Sequence, residues 1–204
     1  MNRETEKIRK RYNRTARFFD VIESLMDKGS MGKWRDAVWK EAKGKVLEVG
    51  VGTGRNIEYY PDNCEVTAID FSENMLSRAK VRAEKLGKKV DLRLMDVQIL
   101  EFADEVFDTV ITTCVFCSVP DPIKGLQEIR RVCKKDGQII MLEHVRSNKH
   151  LIGTLMDLLN PIFVRVIGAN INRNTVENLK KAGLKVEVEK DLMMDIVKNL
   201  KCSK

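Results

Sequence analysis

Three glycines set one residue apart, Gly50, Gly52 and Gly54, follow the apolar run Val46-Leu47-Glu48-Val49. Glycine has no Cβ and accepts positive φ, so such a loop turns tightly and lets a ligand lie against its backbone. Glu48, two residues before the first glycine, adds a carboxylate that suits a ligand carrying positive charge better than a pyrophosphate. The G-x-G-x-G spacing departs from the dinucleotide fingerprint G-x-G-x-x-G, and no Lys-Ser/Thr follows to make a phosphate loop. Asp70 stands twenty residues beyond Gly50, where doubly wound folds put the carboxylate that accepts from ribose hydroxyls.

These residues need elements to hold them. Residues 3–27 read as an amphipathic helix: Ile8, Tyr12, Ala16, Phe19, Ile22 and Met26 form the apolar face, and Lys7, Arg9, Lys10, Arg11, Arg14 and Arg17 the basic one. A second helix is expected from Trp34 to Lys43, then the strand into the glycines, and a short helix from Arg55 to Tyr60 stopped by Pro61. Glu65 to Ile69 is a strand ending in Asp70, and Ser72 caps a helix from Glu73 to Leu86 that closes at Gly87. Val90 to Leu94 alternates as a third strand delivering Asp96, and Phe107 to Thr113 is a fourth. A helix from Ile123 to Val132 leads through a turn at Lys134-Lys135-Asp136-Gly137 to a fifth strand, Gln138 to Glu143. Alternating strands and helices imply a parallel sheet with right-handed crossovers.

Glu-x-Gly-x-Gly-x-Gly from Glu48 to Gly54 resembles motif I of the class I S-adenosylmethionine-dependent methyltransferases. The run from Phe107 to Val145 is similar to small thiol- and lipid-associated methyltransferases, and to quinone-biosynthesis C-methyltransferases and bacterial phospholipid N-methyltransferases. The resemblance implies a Rossmann-like α/β fold. Its seven-stranded doubly wound sheet would be mostly parallel with an antiparallel C-terminal hairpin strand, and helices would cover both faces. It implies S-adenosyl-L-methionine as cofactor, with Glu48, Gly50, Gly52 and Gly54 around the methionyl group, Asp70 on ribose and Asp96 near adenine. Beside it, Phe71 and Met75 flank the ribose acid, and the Val97 amide and Asp96 carboxylate can satisfy adenine's ring nitrogen and exocyclic amine. Thr113 and Cys114, where the fourth strand ends, complete the cofactor contacts. Lys135-Asp136-Gly137 departs from the family's frequent Pro-Gly-Gly, a difference confined to a turn.

Displacement at a sulfonium methyl draws on proximity and orientation, with a base needed only where the acceptor must lose a proton. Cys117, Glu143 and His144 follow the fourth and fifth strands, and Tyr12 belongs to the N-terminal helix. Cys117, His144 and Tyr12 are the catalytic candidates, His144 as base because its ordinary pKa suits the task. Cys114 and Cys117 form C-x-x-C without the second pair or nearby histidine of a zinc site, so no metal is expected.

The 204 residues suit one domain, divided into a helical lid (1–43), a cofactor core (44–145), an apolar substrate-covering insertion (146–172) and a C-terminal helix and hairpin (173–204). Leu151 to Gly168 is the most apolar stretch, yet Asp157, Asn160, Pro161 and Arg165 make it a poor membrane span. Asn174 and Glu177 have capping-box spacing, Leu184 to Glu189 alternates as a strand, and Leu192 to Val197 is its expected hairpin partner. Lys and Arg number 37 against 30 Asp and Glu, a net charge of +7 that favours acidic partners, anionic lipid among them. Five cysteines without framework spacing and a charged opening dozen residues indicate a reducing, cytoplasmic setting, with contact at the membrane surface as an option. The reading is methyl transfer to a small apolar or amphipathic acceptor: a thiol, a quinone precursor or a phospholipid headgroup. Two rivals are an RNA or protein methyltransferase and a non-catalytic cofactor-binding membrane-surface protein. Thr113-Cys114-Val115-Phe116 in place of an Asn-Pro-Pro-Tyr-type tetrad, and no dedicated nucleic-acid-binding module, weigh against the first.

Overall fold

A computed structural model describes residues 3–166 and 168–204, with side chains described outside 16–28. Seven strands form one sheet in the order β3-β2-β1-β4-β5-β7-β6. β1 (Lys45–Val49), β2 (Glu65–Asp70), β3 (Asp91–Leu94), β4 (Phe107–Thr113) and β5 (Cys133–His144) run parallel; β7 (Val197–Ser203) is antiparallel to β5 and to β6 (Lys185–Met193). The expected α/β sheet is present, and the parallel centre is apolar because both its faces are covered.

Side-chain alternation divides the core. Ile139 and Met141 of β5 pack with Leu126 and Ile129 of α4 (Pro122–Val132) and Leu179 of α6 (Thr175–Lys181). Ile140 and Leu142 face the other way, onto Val38 and Trp39 of α2 (Gly32–Trp39). α3 (Glu73–Leu86) has the expected ends: Ser72 Oγ accepts from Met75 N at 3.2 Å, and Gly87 closes it at φ 64°. α1 (Arg3–Met26) lies against α3, where Asn13 Oδ1 accepts from Ser72 Oγ at 2.6 Å and Arg9 pairs with Glu73 at 3.3 Å. The apolar positions Ala16, Phe19, Ile22 and Met26, and Arg17, lie outside the residues with described side chains.

Five local expectations are corrected. α2 starts at Gly32 and its helix ends at Trp39, with Glu41 and Ala42 bonding back by only three residues. Residues 55–60 yield a single 3₁₀ turn, Ile57–Tyr59, because Asn56 and Tyr60 are both drawn to Glu48. The turn at 134–137 is a bulge inside β5, where pairing jumps from Phe107–Cys133 to Thr109–Gln138. A Cβ on Gly137 would stand 2.8 Å from Cys133 Sγ and 3.1 Å from the Asp108 carbonyl, so the bulge closes only on glycine. Asn174 makes no side-chain cap; its amide donates to the Glu177 carboxylate at 2.8 Å instead. The hairpin partner of β6 is Val197–Ser203, not Leu192–Val197. Lys198 masks that strand in sequence, yet it is buried, neutralised by Glu189 at 2.7 Å and Asp191 at 2.5 Å.

Candidate active site

A cavity of about 260 Å³ opens beyond the carboxyl ends of β1, β2 and β4, where open α/β sheets bind ligands. The glycine loop is its floor. Gly50 N and Val51 N both donate to the Ile69 carbonyl, at 2.8 and 3.0 Å, and this ties the loop to β2. Gly50 has φ 72°, and a Cβ there would lie 2.5 Å from a Val115 methyl. Gly52 has φ 56° and its missing Cβ would meet nothing within 4 Å, so its backbone faces open space in the cavity wall.

Asp70 is buried beside it. Oδ2 accepts from Gly52 N at 2.9 Å and Oδ1 from Ser72 N at 2.8 Å, which fixes the carboxylate in the cavity wall. Phe71, Met75, Asp96 and Val97 line the same cavity, with Asp96 held by Gln98 through its amide and side chain at 3.0 Å. Tyr12 enters from α1, its ring edge-on to Phe71 at 5.5 Å and its hydroxyl bonded to Ser118. Thr113, Cys114 and Cys117 form the β4 side.

The loop after β4 is clamped through both polarities of its backbone. Glu143, fully buried at the end of β5, accepts from Val115 N and Phe116 N at 3.2 Å and from Thr112 Oγ1 at 2.7 Å. Arg173 donates to the Phe116 carbonyl at 3.0 Å and the Val119 carbonyl at 2.9 Å, and Asn170 N donates to the Cys117 carbonyl at 2.7 Å. Burial pushes Glu143 up to about 7, against the lowering pull of those hydrogen bonds. Burial, reinforced by the Glu143 charge, raises the Cys117 thiol to about 11. Loss of water likewise lifts the Tyr12 phenol well above its ordinary value. Both groups are protonated at neutral pH.

Three expected site residues lie elsewhere. Glu48 is buried behind the floor, accepting from Asn56 Nδ2 at 2.6 Å and from Tyr60, and burial raises it to about 7. Gly54 does not line the cavity; it makes room for Ile57 and for Ala79 of α3, whose Cα would be 3.0 Å from a Cβ there. His144 is absent from the cavity wall, and burial lowers its pKa. Arg35, Ser118 and Ala169, which do line the cavity, had no distinguishing spacing in the sequence. Arg35 is buried and donates to Asn56 Oδ1 at 2.7 Å, one bond away from Glu48. Among the described residues, no cluster of His, Cys, Asp or Glu could hold a metal ion.

The fold and cavity define a Rossmann-like architecture with a ligand site at the strand ends. A solved SAM-dependent methyltransferase from Aquifex aeolicus superposes with a TM-score of 0.66 at 20% identity, covering 88% of this chain and 95% of that one. Residues 47–141, most of the parallel core, match the family model of a methyltransferase domain. A phosphatidylethanolamine N-methyltransferase of Cereibacter sphaeroides is 43% identical over 108 residues, 52% of this chain and 53% of that protein. The thiol S-methyltransferase TMT1B of Rattus norvegicus is 32% identical over 142 residues, 67% of this chain and 58% of that one. A demethylmenaquinone methyltransferase of Lactobacillus johnsonii is 27% identical over 205 residues, 91% and 84% of the two chains. The chain spans somewhat over half the length of the first two relatives.

Proposed function

We propose that this chain is a class I S-adenosylmethionine-dependent methyltransferase acting on a small apolar or amphipathic acceptor. One observation carries the reading: Asp70, its carboxylate oriented by two backbone amides, lines a cavity floored by the side-chain-free Gly52. That donor set fits the cofactor. Asp70 would hold the ribose diol, Gly50 and Gly52 would lie under the methionyl portion, and Phe71, Met75, Asp96 and Val97 would receive adenine. Thr113 and Cys114 would border the reacting end, and Glu48 would act from behind by fixing Asn56. When bound, the cofactor supplies an electrophilic sulfonium methyl.

The chain's own residues then supply alignment and exclusion of water. Residues 1–43 form a lid, with Tyr12 closing on Ser118 above the core of residues 44–145. Residues 146–172 cover the acceptor side, and 173–204 contribute Arg173 to the clamp and complete the sheet. Cys117 and Tyr12, both protonated, serve as donors and as packing surface and do not abstract protons. An acceptor that reaches the site already nucleophilic, such as a free amine or a thiolate, suits this lining. The relatives' names cover phosphatidylethanolamine, thiol and demethylmenaquinone methylation, and a largely apolar cavity is compatible with the apolar part of each.

Calorimetric titration with S-adenosylmethionine and S-adenosylhomocysteine, followed by turnover on thiol, quinone-precursor and phospholipid panels, tests the reading. Binding with turnover on one panel identifies the acceptor class; absence of binding overturns the assignment.

A further inference from the structure

The helix α5 (His150–Val166) wears its apolar residues on the outside. Its buried residues are only Gly153 and Met156, and polar contacts tie the same side to the protein. Asp157 pairs with Arg146 at 2.7 Å and accepts from Asn172 at 3.0 Å; Asn160 Oδ1 accepts from Ile171 N at 2.9 Å; and a Cβ on Gly153 would stand 2.6 Å from the Ser147 carbonyl. Opposite them, Leu151 is 84% exposed, Leu155 54%, Leu158 74%, Ile162 59% and Val166 62%. At ~100° per residue these five fall within an arc of about 80°. A surface helix of a globular protein has the reverse arrangement, and a contiguous apolar stripe of this kind marks a binding surface.

We propose that this face docks onto an anionic lipid surface. The inference builds on the proposed methyl transfer to an amphipathic acceptor, to which the lipid surface would give access. Charge selects the occupant. Lys149 and Arg165 are exposed at the two ends of the stripe, and the helix's one acid, Asp157, lies off the stripe and is paired with Arg146. The far end adjoins α1, where Arg11 donates to the Val164 carbonyl at 2.7 Å and Lys7, Lys10 and Arg14 are exposed. Leucines bordered by cations match the acyl boundary and headgroups of a bilayer carrying anionic lipid. Among the described residues no helix is long and apolar enough to cross a membrane, so the contact lies in the interface plane. Ala169, just beyond α5, lines the cavity, and Asn170 is bonded to Cys117, which places the cavity wall beside the docking helix.

Flotation of the full chain with phosphatidylcholine vesicles, with and without phosphatidylglycerol, tests the proposal. The wild type should float with the anionic vesicles, less so as salt rises. A Leu155→Asp/Leu158→Asp variant, with circular dichroism and cofactor titration matching wild type, should bind roughly tenfold or more weakly. Lys149→Glu/Arg165→Glu should lose the preference for phosphatidylglycerol. Wild type that ignores both vesicles, or a leucine variant that floats like wild type, overturns the docking. So does self-association in sedimentation velocity that the leucine variant abolishes without any vesicle binding, which would assign the face to a second copy. Flotation without cofactor binding would uphold docking and remove the methyl-transfer reading; cofactor binding without flotation would do the reverse.

Discussion

Asp70 and Glu143 are both buried carboxylates at the carboxyl end of a strand, and both accept backbone amide hydrogens, yet their surroundings assign them different work. Asp70 lines the cavity, its two oxygens oriented by the Gly52 and Ser72 amides. Glu143 lies outside the wall, spends its oxygens on Thr112, Val115 and Phe116, and so shapes the loop that the acceptor would meet. What separates the two carboxylates is that one borders the cavity and the other is sealed behind its wall.

Substitution should separate the two. Glu143→Ala strands two amides and a hydroxyl in the core, and the unfolding free energy measured in urea should drop by about 4 kcal/mol. Asp70→Ala should fold with a smaller loss and bind S-adenosylmethionine roughly 100-fold more weakly by calorimetry. An Asp70→Ala protein with full affinity, or a Glu143→Ala protein of wild-type stability, would erase the distinction. The pH dependence extends it to Glu48. Glu48 and Glu143 are raised by burial to about 7, so the folded chain holds their protons more tightly than the unfolded one. Their contribution is complete below the ordinary carboxyl range and is lost as pH rises through about 7. Melting temperature should fall by several degrees between pH 5 and 8. Glu48→Gln, which can keep its bonds to Asn56 and Tyr60, should flatten that slope. Gly52→Ala meets no protein atom, so it should cost only about 1 kcal/mol of stability for its positive φ. Its methyl projects into the cavity and should weaken cofactor binding roughly tenfold. The smallest effect belongs to His144→Ala, whose turnover should stay within about twofold of wild type if a base at that position is not used.

The parallel half of the fold was legible because its signals are local. The apolar run before Gly50, the Ser72 cap, the Gly87 stop and the alternation ending in Asp70 each occupy a few adjacent residues. Eleven of the residues expected at the site surround one cavity for the same reason: ligand loops in such sheets follow strand ends, and strand ends could be read. The failures depend on partners far away in sequence. Lys198 looks like a surface residue until Glu189 and Asp191 are set against it. Arg35 carries no signature until Asn56 arrives from the other side of the glycine loop. His144 has suitable chemistry and a strand-end position, and neither shows from the sequence that the cavity wall passes it by. The apolar character of α5 was plain, whereas its outward direction depends on which polar groups of the connecting segments meet Asp157 and Asn160.

The strand order has a consequence for how the chain is made. β7 lies between β5 and β6, although β6 precedes it in sequence. While the ribosome is still delivering residues 197–203, β6 has no neighbour in the sheet, and β5 presents a bare edge whose amides and carbonyls invite any other strand. The site can be assembled from β1 to β5 during that interval, but the sheet behind it is sealed late. A stalled or slowed translation over the preceding hairpin turn would therefore expose an aggregation-prone intermediate with its glycine loop already formed.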